Sequence, residues 1–191
     1  MNIILISSPE EEKKELEKTT ELFKSGLTKL HLRKPKWNKE EYRRFIEKIS
    51  PNYHPHIILH QFHELLDEFD LGGIHYSEKT RPERQELDLH CSTSFHQLEQ
   101  LEQDWGSYNY VFLSPIFDSI SKVGYKSYFK PKELKSKIQT SRYPVVALGG
   151  ITPYQIQTCK DLGFDGVAVL GYVWASENPL RAYQELIKSC Q

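Results

Sequence analysis

The sequence has no excess of charge of either sign, no long apolar run and few cysteines. Each shortage removes a class of function. Lys and Arg number 25 against 26 Asp and Glu, a formal net charge of −1. Without a basic block, neither nucleic acid nor an anionic membrane surface is an expected partner. No apolar stretch approaches the length of a membrane span. The N-terminal residues are apolar, but charge follows them, at Glu10, Glu11, Glu12, Lys13 and Lys14. That is the reverse of an export signal, so a cytoplasmic location is expected. Cys91, Cys159 and Cys190 lie far apart and form no CxxC pair, which argues against a zinc ribbon and against a disulfide framework.

What is present suits a packed globular domain. The 191 residues are 38% hydrophobic, 12% aromatic and 27% charged, enough for one domain over residues 1–191 with a sizeable core. Short β-branched runs alternate with longer helical patterns. Strands are expected at 3–6, 27–33, 56–60, 73–76, 87–92, 109–113, 144–148 and 166–170. Helices are expected at 9–24, 39–49, through Leu65, Leu66 and Phe69, and at 95–103, 131–138, 153–162 and 178–189. The charged stretch 10–18 reads as a solvated outer face. Alternation of this kind indicates parallel βαβ units, and eight of them close a compact (β/α)8 barrel. An open doubly wound sheet is the alternative. The fourth unit lacks a clear helix and is the expected weak point.

In such a barrel, function sits at the C-terminal ends of the strands. There the sequence places His31, Arg33, His60, His75, Tyr76, His96, the segment 114–122, Gly149-Gly150 and Leu170-Gly171. The stretch 145–153 runs from a strand through Gly149-Gly150 into a helix start, and Gly166 to Gly171 repeats the theme. Paired turns after strands seven and eight form the phosphate site of these barrels, because free N–H groups there meet an anion. A plain tight βα turn explains the glycines equally well. His31, His60, His75 and His90 carry no short ligand spacing beyond His60 and His63, so they read as structural residues of a polar mouth, with no metal site expected.

Several motifs together resemble the thiamine-phosphate synthase/TenI superfamily. They are His31-Leu32-Arg33-Lys34-Pro35, Gly73-Ile74-His75, Ser94-Phe95-His96-Gln97-Leu98-Glu99, the segment Pro115 to Lys122, and the two glycine turns. The resemblance implies a (β/α)8 barrel. Its synthases join a pyrimidine methyl diphosphate to hydroxyethylthiazole phosphate with Mg²⁺, using a Gln-Leu-Arg-x-Lys motif, an Asn-Asp pair and a further Asp. In this sequence Arg33 matches the arginine. His31 stands for the Gln, Pro35 for the Lys, His60-Gln61 for the Asn-Asp pair, and Thr80 falls near the last Asp. The expected Mg²⁺-ligand carboxylates are therefore replaced, with Glu78 as a candidate substitute.

The thiazole-phosphate half is better kept. By resemblance, Ser119, Ser121 and Lys122 face the thiazole carboxylate and phosphate. Gly149, Gly150, Leu170 and Gly171 cradle the phosphate. Arg33 and His31 bind substrate, and His60, His75 and Tyr76 are candidate mouth residues. His96 matches the histidine with which TenI-type members move a proton on the thiazole ring. Three readings follow. They are a metal-independent thiazole tautomerase, a synthase with altered Mg²⁺ ligands, and a non-catalytic binder of a thiazole phosphate. The expected partner is a small-molecule thiazole phosphate, Mg²⁺ is expected only for the synthase, and homo-oligomerisation is left open.

Overall fold

The computed structural model describes residues 1–85, 88–118 and 129–191. Ser119, Ser121 and Lys122 lie outside the described residues. Eight parallel strands close into a barrel in sequence order. They are β1 (Asn2–Ile6), β2 (Leu30–Leu32), β3 (Ile57–Leu59), β4 (Gly73–Tyr76), β5 (Cys91–Phe95), β6 (Tyr110–Leu113), β7 (Val145–Leu148) and β8 (Gly166–Val169). The ring closes where β8 pairs with β1, from Asn2 opposite Gly166 to Leu5 opposite Val169. The open-sheet alternative is thereby set aside. No helix among the described residues is long and apolar enough to cross a membrane.

The two-residue period of each strand sorts side chains between two cores. Outward residues such as Ile3, Leu5, Leu30, Leu32, Ile74, Cys91 and Phe95 pack under the surrounding helices. Inward residues Ile4, Ile6, Tyr110, Phe112, Val146 and Ala168 form a smaller apolar cluster inside the barrel. The inward positions of β2, β4 and β5 instead carry His31, His75 and Ser92, all buried. Barrel interiors are ordinarily filled by layers of branched apolar side chains. Here one side of that filling is polar.

Helices α1 (Glu15–Lys24), α2 (Lys39–Glu47), α3 (Pro131–Gln139), α4 (Ile156–Leu162), α5 (Gly171–Trp174) and α6 (Pro179–Cys190) complete the described α-helical elements. Asn38 caps α2: its side chain accepts from Glu41 N, and the Glu41 carboxylate accepts in return from Asn38 N. Single 3₁₀ turns at His63–Asp67 and Leu98–Leu101 stand where helices were expected after β3 and β5. Between β4 and β5 the described residues contain no helix, as the weak fourth unit suggested.

Two expectations need correction. The fifth strand was placed at 87–92, but the ladder runs over Cys91–Phe95. Ser92 and Ser94 face inward in a polar part of the barrel, so the apolar alternation that marks a strand is absent on one face. The shift puts His96 immediately after the strand end rather than inside a helix. The first helix starts at Glu15, not residue 9, and its charged start is not all solvated. Glu15 is buried and pairs with the buried Lys34 Nζ, which also donates to Glu10 O at 3.0 Å and sits 4.9 Å from the Trp37 ring centroid. Burial raises the Glu15 pKa, against the lowering effect of Lys34, and its second oxygen has no hydrogen-bond partner. A lysine reaching from the end of β2 thus ties down the loop and helix that follow β1.

Breaking a buried ion pair on one side strands the other charge. Lys34→Ala should therefore lower unfolding stability by about 3–5 kcal/mol. The double change Glu15→Leu with Lys34→Met should recover most of that loss. Urea unfolding of the two variants checks the expectation, and a double variant weaker than the single one would contradict it.

Candidate active site

The barrel mouth joins residues that are far apart in sequence because neighbouring strand ends meet there. His31 lies on β2, His75 on β4, and His60 directly follows β3. Register fixes their heights. Leu59 pairs with Ile74, so His60 and His75 are level, while His31 pairs with Ile58 one layer deeper. The His60 and His75 rings stack with centroids 4.2 Å apart, and both lie within 5.2 Å of the His31 ring.

These imidazoles form a connected polar network. His31 Nδ1 is 2.9 Å from His60 Nε2, and His31 Nε2 is 2.6 Å from Tyr110 Oη. His75 Nδ1 meets Ser92 Oγ at 2.8 Å and its Nε2 meets Ser94 Oγ at 2.9 Å. His31 and His75 were expected to line an open mouth. They are instead fully buried beneath it, at 0% and 1% exposure, and of the three rings only His60 is partly exposed. Tyr76 is also half-buried at the rim. On the opposite end of the barrel, Lys29 Nζ approaches His90 Nε2 at 3.2 Å and lies over the Tyr110 ring.

Arg33 follows β2 and is half-buried. Its backbone is fixed by Ser7, whose Oγ accepts from Arg33 N at 2.8 Å and donates to Arg33 O at 3.1 Å. Among the described residues, no acceptor takes a hydrogen bond from its guanidinium. Beside it, Gln61 Oε1 accepts from Tyr42 Oη at 3.2 Å. Glu78 and Thr80 are exposed in the turn after β4. Mg²⁺ requires hard oxygen ligands, mostly carboxylates and phosphate oxygens. Among the described residues, His31, His60 and His75 are the group of three whose ligand atoms come together, and no carboxylate joins them. The residues at this position do not fit Mg²⁺.

His96 stands across the mouth, at the end of β5. Gln100 Oε1 accepts from His96 N at 2.8 Å and from Gln97 N at 3.0 Å, which fixes the backbone. The ring is held through Nδ1, 3.0 Å from Ser114 O and 3.2 Å from Ser114 Oγ. A carbonyl only accepts, so Nδ1 carries the proton and Nε2 holds the lone pair in the neutral ring. His96 is exposed, and Nε2 has no partner among the described residues.

The two glycine turns sit at the ends of the adjacent strands β7 and β8. Gly149 and Gly150 have φ of 101° and 66°, which favours glycine. A Cβ on Gly150 would also lie 2.3 Å from Asp118 O, so the turn must be glycine for the β6 loop to pack against it. The amides remain available nonetheless. Among the described residues, none accepts from the N–H of Gly150, Ile151, Gly171 or Tyr172. The short helix α5, which the sequence did not signal, begins at Gly171 itself.

Burial makes the histidine network sensitive to acid. It holds His31 and His60 well below the ordinary 6.5, and His75 down to about 3, with neighbouring imidazoles and cations lowering them further. His90 is lowered to about 4 by burial and Lys29. As pH falls below 6.5 the unfolded chain takes up protons that the folded chain does not, so stability falls. Each such histidine contributes up to about 1.4 kcal/mol per pH unit. Glu15 acts in the opposite sense just above its ordinary 4.5, because its raised pKa lets the folded state hold the proton first. Urea unfolding of the metal-free protein between neutral and mildly acidic pH should show a steep loss, and His75→Asn should make it shallower.

Comparison with known proteins agrees with this fold. The family model described as thiamine monophosphate synthase matches residues 3–173. A thiamine-phosphate synthase of Methanobrevibacter smithii is 22% identical over 97% of this chain and 92% of its own length. One from Lactococcus lactis is 27% identical, covering 85% of this chain and 80% of that protein. Among solved structures, thiamine phosphate pyrophosphorylase from Bacteroides thetaiotaomicron superimposes with a TM-score of 0.84 at 30% identity, covering 99% of this chain and 97% of that one. The Pyrococcus furiosus pyrophosphorylase, 19% identical with a TM-score of 0.80, shares the fold over 99% of this chain and 95% of its own. With the closed barrel and a match over nearly its whole length, the chain belongs to the thiamine monophosphate synthase family of enzymes.

Proposed function

We propose that this enzyme of thiamine biosynthesis acts on a hydroxyethylthiazole carboxylate phosphate as a tautomerase, with His96 as the acid/base. The observation that carries the reading is the His96 ring, tethered through Nδ1 to Ser114 and leaving Nε2 unpartnered among the described residues. Isomerising the thiazole needs a proton removed from one ring position and returned to another. No electron is transferred and no bond to a leaving group breaks, so one imidazole suffices. Histidine is the side chain whose ordinary titration range spans neutral pH. In this reading the substrate phosphate takes the amides of the β7 and β8 turns, through Gly149, Gly150, Leu170 and Gly171. Arg33 meets an anionic group at the β2 side. Ser119, Ser121 and Lys122 face the carboxylate.

A synthase reading has support of its own, since the relatives named above are synthases or pyrophosphorylases. Against it stands the donor set at the β3 end, His60 and Gln61, which does not suit Mg²⁺. Without that ion the diphosphate leaving group loses the main stabilisation of its developing charge.

His96→Ala should slow isomerisation by about 10²–10⁴-fold while leaving thiazole phosphate affinity within a few-fold. Lys122→Ala should weaken binding first. Ring-proton exchange followed by NMR, beside a binding titration, measures both. Isomerisation at the parent rate in the His96 variant would remove the assignment. Mg²⁺-dependent formation of thiamine phosphate from the pyrimidine diphosphate would favour the synthase instead.

A further inference from the structure

We propose that His31, His60 and His75 form a binding site for a first-row divalent transition metal, such as Zn²⁺, Co²⁺ or Ni²⁺. The proposal goes beyond the tautomerase reading, in which proton transfer needs no metal. One ligand atom from each ring lies within 4.8 Å of the other two. The rings are carried on or directly after three consecutive strands, so the barrel holds their backbones rigidly. His31 Nδ1 and His60 Nε2 are already 2.9 Å apart. A tetrahedral ion with metal–nitrogen bonds of about 2.0–2.1 Å needs about 3.3 Å between ligand nitrogens. That pair opens by a few tenths of an ångström, and His75 swings inward to complete the triangle.

The surrounding hydrogen bonds suit ligation. A metal-bound imidazole usually donates its other N–H to an outer partner that fixes the tautomer. His31 Nε2 has Tyr110 Oη at 2.6 Å for that role. With the proton there, Nδ1 turns its lone pair toward His60. His75 meets Ser92 Oγ with one nitrogen and Ser94 Oγ with the other. One of those bonds stays to orient the ring while the other is given up to the metal. The proton between His31 and His60 moves from His60 Nε2 to His60 Nδ1, so that both rings ligate as neutral imidazoles.

The donor set selects the metal. Imidazole suits zinc, cobalt, nickel and copper, whereas magnesium prefers carboxylate, carbonyl and water oxygens. The replacement of oxygen donors by His31 and His60 therefore changes the preferred ion. Charge sets the fourth ligand. Among the described residues no carboxylate joins the group, and the side chains whose charge acts on both His60 and His75 are His63 and Arg33, of which Arg33 is the permanent cation. A dication beside Arg33 calls for an anion. The open position would take a phosphate or carboxylate oxygen of a small ligand, with Arg33 binding the same group.

The test uses the full chain, stripped by a chelator and titrated with Co²⁺. One ion per chain, with the intense visible bands of four- or five-coordinate cobalt, is expected. Added azide should shift those bands. His60→Gln and His75→Asn should each weaken binding at least about tenfold, the lower end of what even an outer partner of a ligand costs. Cu²⁺ loaded into the unaltered chain should show electron-spin couplings to three imidazole nitrogens, a measurement that stands if a variant fails to fold. Absence of stoichiometric binding, the spectrum of octahedral aqueous cobalt, or fewer than three coupled imidazoles would overturn the site. Unshifted bands would overturn the open anion position. None of these readouts depends on turnover, so failure of the tautomerase reading leaves the site standing, and the reverse.

Discussion

An imidazole buried in a barrel must find partners for both of its nitrogens. That requirement organises one side of this molecule. Unpaired polar groups in an apolar interior cost more than the net gain of the hydrogen bond they lack. His31 therefore bridges His60 to Tyr110, and His75 is held between Ser92 and Ser94. These contacts also enforce register. A one-residue slip of β2 would exchange His31 for Leu30 or Leu32 and present an imidazole to the apolar layer under the helices.

The other side of the barrel is filled conventionally by Ile4, Ile6, Phe112, Val146 and Ala168. The division coincides with a division at the mouth. Strands β7 and β8 carry the glycine turns, whose amides at Gly150, Ile151, Gly171 and Tyr172 meet no acceptor among the described residues, and His96 directly follows β5. The polar strands β2 to β4 carry Arg33 and the three imidazoles. On the proposed readings, one rigid scaffold would serve proton transfer and anion binding through His96 and the β7 and β8 turns, and metal binding through the three imidazoles.

Much of this was legible from the sequence. Eight strand signals, the two glycine turns and the resemblance carried by residues 31–35 and 94–99 were enough to place the fold and the ends of most strands, β5 excepted. The failures have physical causes. β5 was misplaced because Ser92 and Ser94 face a polar interior, which erases the alternation by which a half-buried strand is recognised. The buried Lys34–Glu15 pair was hidden inside a charge-rich stretch that resembles solvated surface. The clustering of His31, His60 and His75 could not be read from spacing, because neighbouring strands, not intervals along the chain, bring side chains together in a barrel. The interval from His31 to His60 spans a whole βα unit, and the one signal available was a histidine recurring near the end of each of three successive strands.

Closure of the ring has a consequence for how the chain acquires its structure. β1, with the sequence NIILI, is made before the other seven strands, and the strand that covers its second edge, β8, is made last of the eight. Until then β1 has only β2 as a partner, along two register positions. An apolar strand with one edge unpaired is a template for association with other chains. During synthesis this apolar strand waits for the most distant strand of the barrel, so the yield in a cell depends on what shields that edge in the interval.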